Sequence, residues 1–98
     1  LLERGEPFDG LFVASAQMAS GALAVLREEG VVVTHDLGVV AVDDDYFATT
    51  SVPPLTTVRQ PTLELGRTCA EVLIDLVEGR SVERVTILPT EVVSRGSE

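Results

Sequence analysis

Three consecutive carboxylates, Asp43-Asp44-Asp45, directly follow the apolar run Leu37–Val42. A short apolar run that ends in polar residues reads as a buried strand. The carboxylates then stand at the C-terminal end of a strand, the position where open α/β sheets bind their ligands. Three chemistries are open to them. Asp43 and Asp45 have the Asp-x-Asp spacing of a metal site for phosphoryl transfer. A carboxylate can also accept hydrogen bonds from the hydroxyls or ring amines of a polar small molecule. Alternatively, Asp44 and Asp45 can cap local loop amides. Phosphoryl transfer needs a cation beside the phosphate and a helix soon after the strand. The chain has no Lys, and Pro53-Pro54 follow instead. The expectation is a division of labour, with one aspartate facing a ligand and the others organising the loop.

Ser15 ends an earlier apolar run, Gly10–Ala14, and two strand ends of one βαβ unit can bring Ser15 and Asp43 to one cleft. Ser15 also reads as a helix N-cap, and the two roles are compatible. His35 has neither a Cys nor a second His near it to make a metal set, so it reads as a loop residue. Cys69 falls on the apolar side of a helical pattern and reads as a small core hydrophobe. No Ser/His/Asp triad, glycine-rich phosphate loop or CxxC pair can be assembled, so the residues call for no enzyme, metal or cofactor.

The elements that must position these residues follow from periodicity. After a polar start ending at Pro7, Gly10–Ala14 reads as a strand covered on both faces. Residues 16–29 repeat apolar side chains at Met18, Ala22, Val25 and Leu26, a helical spacing, and Gly30 suits a helix end. With Leu37–Val42, approached through Val31-Val32-Val33, this makes a βαβ unit and a parallel strand pair. Tyr46–Thr57, rich in Thr, Ser and Pro, reads as ordered loop. Pro61 opens a second helix whose face is Leu65, Cys69, Val72, Leu73 and Leu76, closed by Gly79. Residues 85–93 read as a strand interrupted by Pro89, which suits an edge or crossover. The fold class is α/β with a parallel sheet and flanking helices.

With 98 residues, 45% of them hydrophobic, the chain can build one small domain. Beginning at Leu1 without Met, it reads as part of a longer chain. Sixteen acidic residues against seven Arg give a net charge of −9, which repels phosphate backbones and argues against this segment gripping nucleic acid. A single Cys excludes an internal disulfide framework, and no apolar run approaches the length needed to span a bilayer. A cytoplasmic setting without membrane contact is the expectation.

Four blocks carry a resemblance. They are Asp9–Ser15 with Met18-Ala19 and Gly21-Ala22, Leu37–Asp44, Pro53–Pro61, and Leu88–Val93 with Arg95-Gly96-Ser97. In order and spacing they resemble the C-terminal part of the effector-binding domain of LacI/GalR-type transcriptional regulators, over essentially the whole chain. The pattern departs at Ala41 and Val42, where the family usually has Gly and an aromatic residue, and lacks a usual Pro near Val33-Thr34-His35.

The resemblance implies a two-subdomain clamp of the periplasmic-binding-protein type. Residues 1–45 would belong to the C-terminal subdomain, 46–60 to a crossover, 61–79 to a helix of the N-terminal subdomain and 80–98 to a return strand and tail. Asp43, Ser15, Gln60, Thr62 and Leu65 would be ligand-binding. Met18, Ser20, Ala22 and Ser51 would lie at the dimer interface. The implied partners are a small-molecule effector (a sugar or related polar metabolite), a second copy of the chain, and operator DNA reached only through a separate N-terminal headpiece. A solute-binding protein of similar fold is the alternative, and an Asp-dependent phosphatase a remote one. The second helix would be covered by an upstream part of the chain. Left uncovered, it would fold back, exchange with a neighbour or self-associate.

Overall fold

A computed structural model describes residue 5 and residues 7–98; most of the polar start, residues 1–4 and 6, lies outside it. In chain order the elements are β1 (Gly10–Val13), α1 (Ala16–Glu28), β2 (Gly38–Val42), α2 (Tyr46–Thr50), β3 (Thr56–Arg59), α3 (Thr62–Val77) and β4 (Glu91–Val93). The sheet runs β1-β2-β3-β4, with the first two pairings parallel and β4 antiparallel to β3. The chain divides into two compact units, one of residues 1–59 with 91–98 and one of residues 60–90.

The expected βαβ unit is present, with β1 and β2 immediate neighbours in register Gly10↔Gly38 to Val13↔Ala41. Ser15 caps α1 by accepting from the Met18 amide at 3.1 Å. At the other end Gly30, at φ +74°, donates to the Arg27 carbonyl while the Val31 amide reaches Leu26. That pair of bonds satisfies carbonyls that the ended helix would otherwise leave open. Gly79, at φ +79°, ends α3 in the same way, with Arg80 bonding back to Asp75.

The buried stripe of α1 is Ala16, Ala19, Leu23 and Leu26, not the expected Met18, Ala22, Val25 and Leu26. The two stripes are offset by roughly a quarter of a turn. Small alanines let the helix lie close to the sheet, so Met18 and Val25 are turned out and stand 62% and 49% exposed. With Val13, Leu37, Val39, Ala41, Ala48 and Leu55, the Ala19, Leu23 and Leu26 side chains of this stripe make one core cluster. On the other face Phe12 is 66% exposed, so β1 is not covered on both sides as its apolar run suggests. As the outermost strand, its apolar character is spent on one face only.

Two further expectations are corrected. Tyr46–Thr57 is not loop throughout: Asp45 caps α2, Ala48 is buried, and the segment ends in β3. Residues 46–60, the segment expected to be a crossover, contain α2 and β3, and the second unit begins at Gln60. The tail strand is only Glu91–Val93; Pro89, which has no amide to donate, lies before it, and the strand is at the sheet edge.

The tail is nonetheless built into the core. Ser97 is fully buried; its hydroxyl donates to the Val39 carbonyl at 2.5 Å and accepts from the Thr56 amide at 2.7 Å. Its carbonyl accepts from the Val39 amide at 2.7 Å, so one residue satisfies the backbone of β2 and β3 just before their direct pairing begins. Gly38 is required here, because a Cβ would meet the Glu98 carbonyl oxygen at 2.8 Å. Glu98 accepts from Ser94 and Thr56, which hold its carboxyl down at about 2.

In the second unit, α3 starts after Pro61 as expected but buries none of its residues. Leu65, Cys69, Val72, Leu73 and Leu76 instead border an open groove of about 390 Å³ whose far side is Glu83, Arg84, Thr86 and Leu88. Among the described residues, no helix is long and apolar enough to cross a membrane.

Candidate ligand-binding site

The carboxylate run sits where β2 leaves the sheet, and its three members differ in what they do. Asp43 turns the chain. It is half-buried, its amide donates to the Val58 carbonyl at 2.9 Å, and its φ is +76°. Aspartate tolerates this left-handed region better than most residues, but the conformation still costs about 1–2 kcal/mol.

Asp44 is a junction. Its Oδ1 accepts from the Thr57 hydroxyl at 3.1 Å and from Arg95, and its Oδ2 accepts from Arg59 Nε and Nη2, both at 2.7 Å. Arg59 reaches on to Glu91 at 2.9 Å, and Arg95 donates to the Leu55 carbonyl at 2.8 Å and the Thr57 hydroxyl at 3.3 Å. The Asp44 and Arg95 side chains are only 10% and 15% exposed. Burial alone pushes the Asp44 carboxyl up, but hydrogen bonds from Arg59, Arg95 and Thr57 outweigh it and hold the group below the usual carboxylate range. Asp45 accepts from the Ala48 amide at 3.3 Å and caps α2. Capping by Asp45 was expected; the Asp44 network was not. No sequence spacing links positions 44, 59 and 95, and only pairing of the strands brings them together.

Ser15 follows β1 as Asp43 follows β2, each two residues beyond the register pair Val13↔Ala41. In this parallel pair the two residues therefore leave the sheet at the same edge. Gln60, Thr62 and Leu65, the other expected ligand contacts, belong to the second unit. Gln60 accepts from the Thr62 amide at 2.9 Å, and Thr62 and Leu65 are exposed in the first turn of α3. Of the expected interface residues, Met18 and Ser20 are exposed, Ala22 is half-buried and Ser51 is buried, its hydroxyl donating to the Pro53 carbonyl at 2.9 Å. Ser20 and Ser51 both border a shallow groove of about 300 Å³ that also includes Phe47 and Val52.

His35 is exposed and bonded to its neighbour Asp36 at 3.1 Å. Among the described residues no group of three or more His, Cys, Asp or Glu side chains could hold a metal ion. The Asp-x-Asp pair is thus divided between a turn and a helix cap.

A family model described as a periplasmic binding protein-like domain matches residues 1–98. The HTH-type transcriptional regulator CelR of Thermobifida fusca is 41% identical over 98 residues, covering 99% of this chain and 29% of the relative. The lactose operon repressor of Escherichia coli K12 is 36% identical over 95 residues, covering 97% of this chain and 26% of the relative. Among solved structures, a CelR–cellobiose complex superposes with a TM-score of 0.91 at 40% identity, covering 99% of this chain and 30% of that one. A lac repressor dimer bound to operator and the anti-inducer ONPF gives 0.92 at 35%, covering 98% and 29%. The chain spans less than a third of the curated relatives it matches.

Proposed function

The chain belongs to the periplasmic binding protein-like domain family, and from that premise we propose that it is the C-terminal part of the effector-binding and dimerisation domain of a LacI/GalR-type transcriptional regulator. What supports the reading at the level of residues is the division of labour in the carboxylate run. Asp44 and Asp45 are engaged with arginines and a helix cap, while Asp43 turns at the C-terminal edge of the sheet, where open α/β sheets hold ligands. Asp43 accepts hydroxyl hydrogen bonds from the effector, and Ser15 lies on the same edge. Gln60, Thr62 and Leu65 are further effector contacts, carried over from the family pattern.

The effector is a sugar or related polar metabolite; a structural neighbour is a complex with cellobiose. The outward stripe of α1, with Met18 and Val25 exposed beside the groove that Ser20 and Ser51 border, suits a homodimer contact. Operator DNA is reached through a headpiece elsewhere in the full-length regulator, in the cytoplasm, and no catalysis is involved. The mechanism is allosteric: a sugar that binds two conformations with different affinity shifts the balance between them, and with it operator occupancy.

In the full-length chain, Asp43→Ala is expected to abolish the release of operator DNA by sugar while leaving operator affinity within about two-fold. A variant that still responds normally, measured by fluorescence anisotropy on labelled operator, overturns the assignment of Asp43.

A further inference from the structure

We propose that Asp44 is a positioning residue for Asp43: its junction with Arg59, Arg95 and Thr57 holds the chain so that residue 43 stays in the left-handed conformation at the edge of the sheet. The inference rests on the reading of Asp43 as an effector-binding residue and adds to it the groups that fix its backbone.

A non-glycine residue in that region persists only where its surroundings over-determine it. At Asp43, φ +76°, both flanks do so. Upstream, β2 is paired on one side with β1 and on the other with β3, and the Asp43 amide itself is bonded to Val58. Downstream, the next side chain is tied to three partners from two other segments of the chain, β3 and the tail. Charge-assisted bonds of this kind are roughly twice as strong as neutral ones. Arg59 extends the junction to Glu91, its register partner across β3 and β4. These two are the residues at which the chain leaves the first unit and re-enters it. One network of five groups, Asp44, Thr57, Arg59, Glu91 and Arg95, therefore fixes the Asp43 turn and staples the strand pair that leads to residues 60–90.

Amide hydrogen exchange on the full-length chain tests this without any sugar. Asp44→Asn keeps the size of the side chain and removes its charge. Exchange at the residue 43 amide is expected to speed up at least ten-fold, while amides of β1 and α1 change less than two-fold. Adding Asp43→Gly to that variant is expected to restore most of the protection, because glycine takes the left-handed conformation at no steric cost. Unchanged exchange at residue 43 in Asp44→Asn overturns the proposal. So does an equal loss of protection in the glycine background, which would mean that Asp44 supports the strands and not the turn. Cellobiose binding by calorimetry separates this from the effector reading. Asp43→Ala that loses cellobiose binding while Asp44→Asn keeps it in full also overturns the positioning role. If Asp43→Ala keeps it, the effector assignment of Asp43 falls, whatever the exchange result says of the turn.

Discussion

The unit of residues 1–59 with 91–98 and the unit of residues 60–90 are both rich in apolar side chains, yet only the first has a core. Leu55, Val39 and Ala41 are fully buried there, joined by polar groups that are themselves satisfied, such as Ser97 and Thr57. In the second, Leu63, Leu73, Ile74, Leu76 and Val77 are all more than half exposed on a helix with a well-formed C-terminal turn and a clear apolar stripe. The contrast separates two things that periodicity merges. A helical pattern identifies a face that needs cover, while burial depends on whether a partner surface is within the chain.

The contrast can be broken or sharpened by substitution. The largest effect is expected from Leu55→Ala, which should cost about 2–5 kcal/mol by removing buried methyl groups and leaving a cavity. Urea denaturation of the 98-residue chain measures it, and a loss below about 1 kcal/mol would mean that the first unit is as loosely built as the second.

Next comes acid. Asp44 has a folded pKa below the ordinary value of 3.8, so its contribution is fully present above that pH and fades as pH falls through the folded value. The stability difference between the wild type and Asp44→Asn, about 2–4 kcal/mol at pH 7 for a nearly buried charge with several partners, should therefore shrink below pH 3.8. A difference that is flat down to pH 2 would remove the charge from the account.

The smallest effect is expected at Leu73→Ala on α3, less than about 0.5 kcal/mol in the 98-residue chain, since the side chain is 61% exposed. A loss of 2 kcal/mol or more there would show that the face finds cover in solution, and light scattering on the same sample would tell whether a second copy supplies it.

Much of the fold could be read in the residues themselves. Ser15, Gly30 and Gly79 mark helix ends because each answers a local need, an amide to cap or a left-handed turn, that no distant group alters, and Pro61 precedes α3 where its missing amide costs nothing. The continuous apolar runs give β1 and β2, and the four blocks give the family. The rest depended on long-range contacts. Hydropathy gives Met18 and Val25 more weight than Ala16 and Ala19, yet close packing on the sheet favours the alanines. In the same way, Asp43, Asp44 and Asp45 are one residue type in sequence and three roles in space: turn, ionic junction and cap. The sequence by itself determined that carboxylates stand at the end of a strand. Which of them turns, which is clamped and which caps was decided by the tertiary structure, because Arg59 and Arg95 meet Asp44 only once β3 and the tail have folded beside it.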